Sequence, residues 1–208
     1  MKSIISLIAL TLVSARRTKD DNSVKIFNPL DTKSELEEKL LVIIPGADVA
    51  TEFYTQPAQA IQEKTNLKLW VVVPAMPGKL CIPDCSNVHL CAPLQSNVQS
   101  AIKLAIEQGY KGTTAKPDVF MSGHSLGGVC AGTLVEAYRN SEKAYESLVV
   151  MGSYVENQDL SSYKDDVFTL GAELDGGLGR PGNLLRSMRS SDSWAKENGG
   201  IDGENQIR

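Results

Sequence analysis

The sequence predicts an α/β fold, a parallel sheet sandwiched between helices in three layers. Three observations predict it. Apolar runs of strand length alternate with segments of helical period along most of the 208 residues, the order that builds a parallel sheet through crossover helices. The run from Leu67 to Val73 has almost no polar face, as a strand covered on both sides requires. Between a further strand pattern and a helix pattern lies Gly123-His124-Ser125-Leu126-Gly127-Gly128, whose glycines mark a tight strand-to-helix turn. The length and the 42% hydrophobic content fit one domain with its own core, and no internal repeat or low-complexity tract divides it.

Residues 1–15 are read apart from the domain, which spans 16–208. Lys2 precedes an apolar run from Ile4 to Val13, and Val13-Ser14-Ala15 places small residues where a signal peptidase cuts. A buried first helix is the alternative, but Arg16-Arg17 and a polar stretch to Asn22 follow at once, with no amphipathic period. The run is about half of the roughly twenty apolar residues that cross a bilayer, so no transmembrane segment is expected. The predicted destination is secretion, or the lumen of the secretory or lysosomal pathway.

Within the domain, Val24 to Phe27 reads as an edge strand. Lys39 to Ile44 reads as a stronger one, stopped by Pro45-Gly46. A helix is expected from near Pro57 to near Asn66, and the strand Leu67 to Val73 follows. After a cysteine-bearing loop, Ser96 and Gln99 form a capping-box pattern. It stands ahead of Val98, Ala101, Ile102, Ala105 and Ile106 on one helical face, and Gly109 ends the segment. Pro117 to Met121 reads as a short buried strand and Leu126 to Tyr138 as a helix, with Leu126, Val129, Cys130, Leu134 and Val135 at helical spacing. Leu148 to Gly152 and Asp166 to Leu170 are two further strands. The right-handed crossover rule then gathers the strands into one parallel sheet with helices on both faces.

Twenty-one Lys and Arg against 25 Asp and Glu give a net charge of −4, a mildly acidic balance that argues against nucleic acid as a partner. Three of the four cysteines, Cys81, Cys85 and Cys91, crowd a loop rich in proline and asparagine. In an exported chain they predict at least one local disulfide. His89 lies in the same loop, so a zinc site of three thiolates and one imidazole is the competing reading. Cys130, on the inner face of the helix after Ser125, is expected as a small buried apolar residue.

The glycines at 123 and 127 give the turn its chemistry. A sharp strand-to-helix bend crowds its neighbours, only hydrogen side chains fit there, and Ser125 is pushed outward as a nucleophile. A helix starting just after it turns its first N–H groups toward developing negative charge, which suits an oxyanion.

The alternation of elements, the GHSLGG turn and the Pro45-Gly46 loop together resemble the lipase and esterase branch of the α/β-hydrolase superfamily, over roughly residues 24–190. The resemblance implies a serine hydrolase that forms an acyl-enzyme on Ser125 and acts on a small-molecule or lipid ester, with no metal or organic cofactor. It specifies the fold and the nucleophile and leaves the substrate open, since one scaffold carries many acyl chemistries. It implies an oxyanion hole built from the backbone N–H of Leu126 and one from Gly46-Ala47-Asp48, taken as Ala47. Members of the superfamily often carry histidine-glycine where this chain has Pro45-Gly46. The acid of the triad falls on Asp175, just past the strand ending at Leu170, with Glu173 as fallback. A turn aspartate beside Gly176-Gly177 is the plainer reading of the same residue.

A serine hydroxyl needs a base, and the resemblance puts that histidine after the acid. The chain has two histidines, His89 and His124, and neither follows Asp175. His124 immediately precedes Ser125, and on a tight turn its ring faces away from the hydroxyl. His89 stays open because triads are defined by geometry and not by order. Two accounts remain. Either the last strand and helix, with their histidine, fall beyond Arg208 through truncation or an altered gene model, or the protein keeps the fold without catalysis. The first is favoured: after Asp175 the pattern runs through Asn183, Leu184, Leu185, Met188 and Trp194 as a helix and ends in polar residues. That account expects a bare sheet edge and reduced stability. The rival of a different class is a non-catalytic binding protein for a lipid or acyl ligand. The loop between Met76 and Leu94 is either a cover over the pocket or a stapled surface excursion.

Overall fold

The computed structural model describes residues 22–33, 35–81, 91–153 and 166–171. These residues hold strands β1 (Lys25–Phe27), β2 (Glu38–Ile44), β3 (Lys68–Val73), β4 (Val119–His124), β5 (Leu148–Met151) and β6 (Val167–Leu170). Helices α1 (Thr55–Lys64), α2 (Ala92–Glu107) and α3 (Leu126–Tyr138) lie between them. The strands form one sheet in the order β1-β3-β2-β4-β5-β6.

β2 and β3 stand near the middle of the sheet and are apolar almost throughout, so each must be covered on both faces. Leu40, Val42 and Ile44 join Val72, Met121 and Val150 under α2 and α3, against Val98, Ile102, Leu134 and Val135. Leu41, Ile43, Val71 and Val73 point the other way and pack on Tyr54 and on Ala58 of α1. This is the three-layer arrangement that the alternating pattern predicts.

Four details differ from the sequence reading. β1 runs antiparallel to β3, while the other four pairings are parallel. Parallel strands need a crossover of a dozen or more residues, usually a helix, and the described residues between β1 and β2 hold none. α2 begins at Ala92, ahead of the Ser96 capping pattern, with proline in its first turn, where a missing N–H costs nothing. Gln99 turns its amide to Thr114 O at 3.1 Å and to the Tyr145 hydroxyl at 3.4 Å instead of capping. β4 starts at Val119, two residues later than the pattern at Pro117, which has no N–H for the ladder. Cys130 is buried, yet it is not a free apolar residue: it forms a disulfide with Cys81 across 49 residues. Cys91 is disulfide-bonded as well, so neither sulfur remains as a thiolate for a zinc site. Cys85 and His89 lie outside the described residues.

β2, β4 and β5 run in the same direction and end together, so the segments after Ile44, His124 and Met151 emerge side by side at one edge of the sheet. That edge is where open parallel sheets place their ligands. No helix among the described residues is long and apolar enough to cross a membrane.

Candidate active site

β4 ends at His124 and α3 begins at Leu126, so Ser125 alone makes the bend. Its backbone sits at φ 52°, ψ −127°, a conformation that L-residues adopt only when their surroundings enforce it. The enforcement is steric. A Cβ on Gly123 would lie 2.1 Å from Gly127 O, and one on Gly127 would lie 2.2 Å from Ile44 O and 2.4 Å from Pro45 O. Both glycines therefore let backbone press on backbone, which folds the helix tightly over the end of β4. Ser125 itself is half-buried. The N–H of Leu126 is the first of α3, and the first helical N–H groups have no acceptor within their own helix.

The loop after β2 closes against this bend. A Cβ on Gly46 would meet His124 Nδ1 at 2.9 Å and Ser125 Cβ at 3.2 Å, so the loop backbone lies against the serine. Gly46 N–H donates to the Tyr54 hydroxyl at 2.8 Å, and that hydroxyl lies 3.0 Å from His124 Nδ1. With the imidazole proton on Nε2, the phenol accepts from Gly46 and donates to Nδ1. One buried oxygen thus joins the loop to the last residue of β4. Burial pushes the Tyr54 phenol above its ordinary pKa, partly offset by the Gly46 N–H, which keeps it a proton donor. The Tyr54 and His124 rings also meet edge to face at 6.0 Å. The Gly46 carbonyl accepts Val49 N–H at 3.2 Å, and Ala47, exposed, follows it. Asp48 takes a positive φ of 58° and gives its N–H to Lys79 O at 2.9 Å. The turn at Pro77–Lys79 is in turn held near α3 by the Cys81–Cys130 disulfide.

The structure therefore brings Ser125, Leu126, Gly123 and Gly127 together with Gly46 and the loop bearing Ala47. Asp175, Glu173 and His89 lie outside the described residues. Sequence reasoning missed Tyr54 and Ser153. Ser153 lies two residues past the end of β5 and donates its hydroxyl to Ser125 O at 2.6 Å. A signal for it existed, since a polar residue at the carboxyl end of a strand beside β4 lies where open parallel sheets place their ligands. No comparable signal marks Tyr54, which comes from the short turn Thr51–Tyr54. Among the described residues, no group of three or more His, Cys, Asp and Glu is placed to hold a metal.

No protein-family model matches the chain, and no curated protein does. Solved structures do. A thermostable esterase superimposes with a TM-score of 0.56 at 17% identity, over 85% of this chain and 48% of its own. This chain therefore spans about half the length of that neighbour. Esterase PE8 matches at 0.56 and 13% identity, over 82% of this chain and 83% of its own. A thermophilic esterase from the planctomycete Thermogutta terrifontis, solved with butyrate bound, matches at 0.51 and 13%, over 82% and 74%. The parallel sheet with its antiparallel edge strand, the bend at Ser125 between β4 and α3, and these superpositions assign the chain the α/β-hydrolase fold.

Proposed function

We propose that the protein is a serine hydrolase that cleaves ester bonds through an acyl-enzyme on Ser125. One observation carries the reading. Ser125 is held at φ 52° between strand and helix by two glycines whose side chains would strike backbone at 2.1 and 2.2 Å, an arrangement whose chemical use is to present a hydroxyl. The choice of an ester takes its support from three fold neighbours, each an esterase.

In this reading Ser125 Oγ attacks the substrate carbonyl, and its proton passes to a base. The carbonyl oxygen becomes an oxyanion between the N–H groups of Leu126 and Ala47, which strengthen their hold as charge develops. The C–O bond to the alcohol breaks, the proton returns to that alcohol, and an acyl-serine remains. Water then repeats the sequence and releases the acid. Asp175 is the proposed orienting acid. Neither His89 nor His124 is assigned as base: Nδ1 of His124 faces Tyr54. The 208-residue chain is accordingly proposed to acylate slowly and to turn over poorly. A secreted location is part of the proposal, and the Cys81–Cys130 bond supports it, since disulfides persist in oxidising compartments.

The pairing of His124 Nδ1 with the Tyr54 hydroxyl favours a second reading, a non-catalytic protein that holds a lipid or acyl ligand in the same fold. A fluorophosphonate probe separates the two. Labelling located at Ser125 by mass spectrometry and abolished in Ser125→Ala supports the hydrolase, whereas a folded protein left unlabelled after prolonged exposure supports the binder.

A further inference from the structure

We propose that Ser153 is a positioning residue for the oxyanion hole: its hydroxyl fixes the Ser125–Leu126 peptide so that Leu126 N–H is held ready for the oxyanion. This rests on the reading of Ser125 as nucleophile. Ser153 is 3% exposed and stands just past β5, beside the end of β4. Its Oγ donates to Ser125 O at 2.6 Å, and Gly128 N–H donates to the same oxygen at 2.9 Å. The Ser125 N–H is itself held by Met151 O at 3.0 Å.

A planar trans peptide carries its C=O and N–H on opposite sides, so whatever grips the oxygen also sets the direction of the N–H. The peptide between Ser125 and Leu126 is trans, since the cis bond among the described residues is Lys116–Pro117. Two donors on the Ser125 carbonyl thus fix where Leu126 N–H points. Gly128 alone is a local helix-start contact and moves with α3. Ser153 lies just past the end of a different strand, β5, and ties the same plane to the sheet. The hydroxyl also polarises the peptide it binds, and hydrogen bonds in a chain strengthen one another, which makes Leu126 N–H the better donor.

The second glycine after the nucleophile acquires a reason from this contact. A Cβ on Gly128 would lie 2.4 Å from both Cβ and Oγ of Ser153, so glycine at 128 is what lets the hydroxyl reach the carbonyl.

The test is the fluorophosphonate labelling rate of Ser125 as a function of probe concentration in the full chain, with thermal melts alongside. Ser153→Ala is expected to lower the limiting rate by about tenfold, less than the roughly 100-fold or more lost with a whole oxyanion donor. The half-saturating probe concentration should not move, and Ser153→Thr, which restores a hydroxyl, should recover most of the rate. Should Ser153→Ala fail to fold, Ser153→Cys, with its weak S–H donor, is expected to give an intermediate rate. A folded Ser153→Ala protein labelled at the wild-type rate overturns the inference while leaving Ser125 as nucleophile intact. A rate loss that Ser153→Thr shares, in step with lowered melting temperatures, also overturns it, because that marks a scaffold role alone. Wild-type protein unlabelled at Ser125 overturns the underlying reading, and this inference with it, before any variant is made.

Discussion

Gly127→Ala is the most direct perturbation of the bend. The added methyl would sit 2.2 Å from Ile44 O, 2.4 Å from Pro45 O and 2.7 Å from Ile44 C. All three atoms are backbone, so no side chain can swing away to make room. To reach a contact that real Cβ atoms show, the gap must open from 2.2 Å to beyond 3.0 Å, and either α3 or the end of β2 has to move. The end of β2 leads directly into Gly46 and Ala47, so the displacement spreads the two backbone segments proposed to hold the oxyanion. A misplacement of roughly 1 Å costs about 100-fold in rate, and overpacking of this kind costs about 1–3 kcal/mol of stability. That energy lowers the melting temperature by about 2–4 °C per kcal/mol in a domain of this size. The assay is Ser125 labelling kinetics with a thermal melt. Gly171→Ala serves as control, because its Cβ meets nothing within 4 Å, and exposed substitutions of that kind stay within about 0.5 kcal/mol. A Gly127→Ala protein with wild-type labelling and an unchanged melt would refute the steric account of the bend.

Two further predictions follow from contacts away from Ser125. Replacing both Cys81 and Cys130 by alanine removes a cross-link spanning 49 residues, and loop-closure entropy puts its stabilisation at about 4 kcal/mol. Chemical denaturation of the double variant should show a loss of that order, and an unchanged midpoint would mean that packing alone fixes the Pro77–Lys79 turn. The second concerns pH. Lys39 Nζ lies 3.0 Å from Asp118 and 2.7 Å from Glu37. Partial burial pushes the Asp118 carboxyl up, but the Thr113 N–H and the Lys39 ammonium together hold it below its usual value of 3.8. A depressed carboxylate stabilises the fold above its unfolded pKa and loses that contribution as pH falls through the folded value. Stability should therefore decline below about pH 4, and Asp118→Asn should flatten that part of the curve while costing about 1–3 kcal/mol at neutral pH. The same acid limb in wild type and Asp118→Asn would show that other carboxylates govern it.

The elements that follow from local pattern were legible in the sequence, and those that depend on distant partners were not. β3 came from its unbroken apolar run and α3 from apolar residues at helical spacing, and α3 spans Leu126–Tyr138 as the pattern has it. The bend was legible because its requirement is local: glycine at 123 and 127, serine between. The direction of β1 was not, since a short strand carries no sign of which neighbour it will meet. Nor was the start of α2, where proline in the first turn competes with a better-looking cap at Ser96. The Cys81–Cys130 pair was hidden for a related reason. Cysteines close in sequence invite pairing with one another, whereas the fold brings the start of their loop against α3. Tyr54 and Ser153 act on His124 and Ser125 from 70 and 28 residues away, distances at which no spacing rule applies.

What unites the legible part of the site is that it asks almost nothing of side chains. Gly123, Gly127 and Gly128 contribute by lacking a Cβ, and the donors proposed at Leu126 and Ala47 are N–H groups that any residue but proline possesses. Such a site fixes the backbone path and leaves the surrounding side chains free, which fits superposition on esterases at 13–17% identity. The side chains that remain constrained are those gripping the backbone from outside. Tyr54 holds Gly46 N–H and Ser153 holds Ser125 O, one for each segment that supplies a proposed donor. Each is buried and reaches its target with one oxygen, so each is replaceable by any residue that delivers a donor or acceptor at that point, and by no apolar one. The rate of fluorophosphonate labelling at Ser125 is therefore expected to fall more on loss of either of these two hydroxyls than on exchange of one exposed side chain for another in the loop bearing Ala47.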